Sequence, residues 1–144
     1  MKVLQIASGD FFSTYGGGQV YVKNIVDEMR RQGRDVTVVS FLPDGEAVRK
    51  DYRGADLYEM GHDDHESLFR LVEEIAPDVI HAHSHKGMAV QIGRALGIPV
   101  VITSHHGGIV CPAAATASAL PPRATATACA ACSVTLEGAS RSIL

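Results

Sequence analysis

Met1-Lys-Val-Leu-Gln-Ile-Ala7, the polar stretch Ser8 to Tyr15, and Gly16-Gly17-Gly18-Gln19 at the head of an amphipathic segment together decide the fold of this chain. A short apolar strand runs into a loop, and the glycine-rich end of that loop opens a helix. Such an arrangement aims free backbone N–H groups and the positive end of a helix dipole at one spot, which suits an anion, most often a phosphate. Glycines let the backbone approach closely because no Cβ stands in the way.

Outward from this opening the strand-then-helix theme repeats. Val22, Ile25, Val26 and Met29 fall at i, i+3, i+4, i+7 and mark a helix that Gly33 ends after Arg30 and Arg31. Asp35 to Leu42 reads as a second strand, followed by the turn residues Pro43-Asp44-Gly45. Residues 46–54 are polar and without pattern, and Leu57 to Met60 reads as a short third strand. Leu68, Leu71, Val72 and Ile75 repeat the helical stripe, with Asp63 or Asp64 as cap and Pro77 as stop. Asp78 to Ala82 is a fourth strand, Met88, Ala89, Ile92 and Leu96 mark a third helix closed by Gly97, and Val100 to Thr103 is a fifth strand. The alternation predicts an α/β fold, a Rossmann-like doubly wound parallel sheet. Right-handed crossovers then bring the strands' carboxyl ends to one edge, where the polar clusters 8–19, 81–85 and 104–108 converge.

The bulk numbers narrow the function classes. With 46% hydrophobic and 20% charged residues the 144-residue chain can build the core of a globular domain. A net charge of -3 supplies no basic field for nucleic acid. No apolar run is long enough for a transmembrane segment, and the start of the chain lacks the pattern of a signal peptide. Cys111, Cys129 and Cys132 do not make a disulfide framework, so a cytoplasmic setting is expected. Composition breaks near Cys111. From there to Leu144, 11 of 34 residues are alanine, none is aromatic, and the charges are Arg123, Glu137 and Arg141. Two parts are therefore expected: a domain at 1–110 and a low-complexity Ala/Thr-rich tail at 111–144, ill-ordered or the product of an altered reading frame.

Four clusters carry candidate chemistry. Gly16-Gly17-Gly18 is either a phosphate cradle or a flexible turn; its spacing matches neither GxGxxG nor a P-loop. His81-Ala-His83-Ser-His85 offers alternate histidines at a strand end, a metal pair in some hydrolases, but Lys86 follows and opposes a cation. One of His105 and His106, beside Gly107-Gly108, suits a donor or an acid–base group, and the spacing does not choose between them. Cys129-Ala-Ala-Cys132 lacks the second pair that a zinc site needs.

Three pieces in order resemble the N-terminal, acceptor-side domain of GT-B glycosyltransferases of the family-four, sugar-nucleotide-dependent group. They are Gly16-Gly17-Gly18-Gln19 through Met29 with Gly33-Arg-Asp-Val-Thr-Val38; Pro77-Asp-Val-Ile-His-Ala-His83; and Gly97-Ile-Pro-Val-Val-Ile-Thr-Ser-His105. Gln19 stands where the family often has Glu, and Arg34 where it has His. The resemblance covers about residues 1–110. It implies transfer of a hexose from a nucleotide-sugar donor to a sugar or lipid-linked acceptor, with retention at the anomeric carbon and no resident cofactor. It implies catalytic roles for His105 or His106, and substrate or phosphate binding by Gly16, Gly17, Gly18, Gln19 and His83, with no metal ligand. It also implies a second Rossmann-like domain, carrying a Glu-x7-Glu motif, which the chain is expected to lack; a separate C-terminal domain would then be its partner, and the chain would be a truncated, silent half. The expected location is the cytoplasm, or peripherally the inner membrane face. Two other readings stay open: a non-catalytic module for a phosphorylated or sugar ligand, and a metal-dependent hydrolase.

Overall fold

The computed structural model describes residues 1–7, 9–12, 16–43 and 48–105. The chain divides into two units, Met1–Thr103 and Ser104–Leu144, and of the second only Ser104 and His105 are described. The apolar run after Met1 forms β1 (Lys2–Ile6), buried from Val3 onward because strands lie on both sides of it and helices cover both faces. Next come α1 (Gly17–Arg31), β2 (Asp35–Leu42), β3 (Val48–Tyr52), β4 (Ala55–Gly61), α2 (His65–Ile75), β5 (Val79–Ala82), α3 (Lys86–Leu96) and β6 (Val100–Ile102). The sheet order is β3-β4-β2-β1-β5-β6. The strand order therefore reverses between β1 and β5, the switch point where open α/β sheets bind ligands at the carboxyl ends of their strands.

Side chains alternate across the sheet and build one core on each face. Leu4, Ile6, Val39, Phe41 and Met60 pack with Leu68, Leu71 and Val72 of α2 and Met88, Ala89 and Ile92 of α3. Val36, Val38, Ala55 and Leu57 point the other way, onto Val22 and Val26 of α1 and onto Phe11. The expected helices and parallel strands are thus all present. Asp64 caps α2 by accepting from the Ser67 amide at 3.0 Å, and Ala76, in the left-handed region at φ 46°, turns the chain out ahead of Pro77.

The sheet is mixed rather than wholly parallel. β3, in a stretch expected to be irregular, pairs antiparallel with β4 at the sheet edge. Its residues are exposed on both faces until Tyr52, so no alternation of apolar and polar residues marks it. It is held instead by Arg49 on Asp56 at 2.7 Å, by Lys50 on Glu59, and by a two-residue turn. Arg53 (φ 51°) and Gly54 (φ 80°) supply the positive φ that a type I′ turn needs, and the Asp51 carboxylate accepts from the Gly54 amide at 3.1 Å.

Candidate functional site

The glycine opening lies where the strand order predicts, after the carboxyl end of β1. Gly16 is the N-cap of α1 in extended backbone, makes no side-chain capping bond, and is followed by a first turn without acidic residues. The positive end of the helix dipole is therefore not offset from within the helix. Gly17 is exposed, and a Cβ built on it would meet nothing within 4 Å. The Gln19 side chain folds back instead: its Oε1 lies 2.6 Å from a Cβ placed on Gly16, and its Nε2 lies 3.7 Å from one placed on Gly9. Lys23, one turn on, sits 5.5 Å from the centre of the buried Phe11 ring.

His83 lies under this opening, just past β5. Its backbone N–H continues the sheet by donating to the Ile6 carbonyl at 2.9 Å. Its ring is buried, bonded through Nε2 to Gln5 Oε1 at 2.9 Å, and met edge-on by Tyr21 of α1 with centroids 5.8 Å apart. Gln5 is wholly buried in the central strand, and its amide donates in turn to Met29 Sδ at 3.4 Å. A polar residue at a central strand position is tolerated because both ends of its amide are engaged. The opening of α1 and His83 thus come together, while His105 is exposed and belongs to the second unit, and His106 lies outside the described residues.

The other histidines of the 81–85 run do not point at one place. His81 Nε2 pairs with Thr103 Oγ1 at 2.8 Å. His85 is the N-cap of α3, left-handed at φ 44°, and its ring stacks on Phe41 on the opposite face of the sheet, 3.9 Å between centroids. Ser84 Oγ donates to the Ala7 carbonyl at 2.6 Å, so the 3.1 Å contact between His85 Nδ1 and Ser84 Oγ is donated by the imidazole. That leaves Nε2 as a buried acceptor without a partner. Burial, aided by the neighbouring His62, holds the His85 pKa below its ordinary value. Among the described residues no group of three or more His, Cys, Asp or Glu is placed to hold a metal ion.

Two further polar groups escaped the sequence reading. Ser40 and Glu59 are register partners on β2 and β4, both buried on the α1 face, and Ser40 Oγ and Glu59 Oε1 have no hydrogen-bond partner. Neither carries a signal along the chain, since each sits inside a strand where a polar residue ordinarily faces water. One expectation from the sequence is also corrected here. A Glu-x7-Glu spacing does occur, at Glu66 and Glu74, but on the exposed side of α2, where Glu66 pairs with Arg70. Eight residues along a helix separate the two positions by roughly 12 Å of rise, on a helix rather than in a phosphate-binding loop.

No curated protein sequence matches the chain significantly. Among solved structures it is similar to SsfS6, a glycosyltransferase of Streptomyces sp. SF2575, with a TM-score of 0.47 and 16% identity over 72% of this chain and 39% of that one. The chain thus spans well under half the length of that enzyme. No helix among the described residues is long and apolar enough to cross a membrane. The model of glycosyltransferase family 4 matches residues 15–132, most of the chain, from the glycine opening through every element after it, and the protein belongs to that family.

Proposed function

We propose that residues 1–110 are the acceptor-side half of a retaining hexosyltransferase that uses a nucleotide-sugar donor, and that the chain is silent without a donor-binding domain. The observation that carries this reading is the opening of α1: a glycine N-cap with no side-chain cap, no acid in the first turn, and open space at Gly17, beside the switch point of the sheet. Departure of a nucleoside diphosphate leaves negative charge on its phosphate oxygens. Backbone N–H groups at a helix start stabilise such charge without reorganising, because their dipoles are already aligned. Gly16, Gly17, Gly18 and Gln19 would face that diphosphate. His83, fixed by Gln5, would form the floor beneath them. His105 or His106 would reach the transferred sugar and donate to one of its hydroxyls. A cytoplasmic position at the inner membrane face fits a lipid-linked acceptor.

The test joins the chain to a family-four donor domain, in one polypeptide or as two, and follows nucleotide release across a panel of nucleotide sugars. Turnover is expected only when both halves are present, with the anomeric configuration retained. Turnover by the 144 residues alone, inversion of configuration, or silence of the joined protein across the panel refutes the reading.

A further inference from the structure

We propose that Ser40 and Glu59 form a two-point receptor for a vicinal diol, and, resting on the reading above, that this diol belongs to the sugar acceptor. The two residues face each other across β2 and β4 in the last row but one of the α1 face, ahead of Leu42 and Gly61. Val38 and Leu57, two residues earlier on the same strands, lie in the α1 core, and Ala7 continues the row onto β1, its amide donating to the Val39 carbonyl at 2.8 Å. The pair therefore sits near the carboxyl edge of the sheet.

Both side chains are buried, with Ser40 at 0% and Glu59 at 3% exposure, and Ser40 Oγ and Glu59 Oε1 are unpartnered. A buried polar atom without a partner is destabilising and needs an explanation. The other carboxylate oxygen of Glu59 is held by the Lys50 ammonium. This fixes the chemistry of the missing partner. With the Lys50 ammonium on the other oxygen, Oε1 is left to accept from a donor, so an anion is rejected. Its charge is already balanced, so a second cation gains little. A neutral hydroxyl donates to Oε1, and a neighbouring hydroxyl exchanges a bond with Ser40 Oγ, which can donate or accept. Adjacent strands stand about 4.8 Å apart, a spacing that two hydroxyls on neighbouring ring carbons can bridge. The Lys50 ammonium that holds Glu59 also lies 5.6 Å from the ring centre of Phe12, which is 41% exposed and offers an apolar surface for the C–H face of a sugar ring. Lys50 is 44% exposed on the edge strand β3, so access calls for its stem to shift while its ammonium stays on Glu59.

The test uses the 144-residue chain, isotope-labelled, titrated with D-glucose and D-mannose, with cyclohexanol as the single-hydroxyl control. Saturable shifts of the Ser40, Glu59 and Lys50 amides are expected with the sugars and not with cyclohexanol. Ser40→Ala removes a hydroxyl that bonds nothing, so the variant keeps its fold with a melting temperature equal to or above that of the parent, while sugar affinity falls by at least ~10-fold. A purely structural serine gives the opposite pair of results. Absence of saturable shifts at these amides overturns the proposal, as does a Ser40→Ala variant that binds like the parent or melts lower. No nucleotide sugar and no second domain enter the titration, so its failure leaves the transferase reading standing, and failure of the transfer assay leaves the diol receptor standing.

Discussion

Gly17→Ala separates the fold from the site. Gly17 is the first residue of α1, its φ is not in the left-handed region, and a Cβ there meets nothing within 4 Å. An alanine therefore fits without strain and without collision. Replacing glycine by alanine in a helix is worth up to about 1 kcal/mol, and roughly half of that at an end where fewer helical bonds are fixed. For a unit of this size, Met1–Thr103, a gain of about 0.5 kcal/mol raises the melting temperature by roughly 2–4 °C. The added methyl, however, occupies the space through which a phosphate reaches the first backbone N–H groups. Loss of that approach is expected to weaken pyrophosphate at least ~10-fold, about 1.4 kcal/mol. Melting curves and calorimetric titration with pyrophosphate read the two effects separately. Gly16→Ala is the companion variant: its Cβ meets only the end of the flexible Gln19 side chain, which can move aside, so its effect on binding is the smaller. Unchanged pyrophosphate affinity in a correctly folded Gly17→Ala protein refutes the cradle.

Three more outcomes follow from the geometry. Gly93→Ala sets a Cβ 2.3 Å from Val100 Cγ2 and 2.8 Å from the Ile98 carbonyl, so overpacking of about 1–3 kcal/mol outweighs the helix gain of about 1 kcal/mol; urea unfolding measures the net loss, and Val100→Ala should restore part of it. Asp64→Ala removes the bond to the Ser67 amide and is expected to cost about 1 kcal/mol in the same assay. Because burial lowers the His85 pKa in the folded chain, the stability tied to its neutral form is complete above the ordinary value of 6.5 and is lost as pH falls below it. The melting temperature should therefore decline from neutral pH toward about pH 5, and His85→Asn, which tolerates the left-handed backbone, should flatten that part of the slope. His62, His65 and Asp63 also act on this ring, so His62→Asn is the control for the share that belongs to His85.

The sequence made the parallel frame legible because burial on both faces writes strands as unbroken apolar runs, as in Val36 to Phe41, and writes helices as stripes, as in Leu68 to Ile75. It hid β3 because an exposed edge strand needs neither pattern, and because its type I′ turn uses Arg53-Gly54 where Asn-Gly is the common signal. The glycine opening and the nearness of His83 to the strand ends were legible, since both follow apolar runs that read as strands. Gln5, Ser40 and Glu59 were not. Each is a polar residue whose role depends on what lies across the sheet: a histidine 78 residues away for Gln5, and a lysine on the hidden β3 for Glu59. Likewise His81, His83 and His85 read as one cluster along the chain, yet strand alternation and the turn into α3 send His83 and His85 to opposite faces.

The position of β1 bears on how the chain is made. Although it precedes every other strand of the sheet in the sequence, it lies in the middle, with Val3 paired to Val36 on one side and to Val79 on the other. The first partner follows closely, but the second arrives about 40 residues later, roughly 2–8 s at a synthesis rate of ~5–20 residues per second. Through that interval the inner edge of β1 has no strand beside it, and an unpaired apolar edge invites pairing with another nascent chain. The seam between β1 and β5 is thus the last part of the β1 surroundings to close, and a ribosome stalled before Val79 would release a product with that edge open.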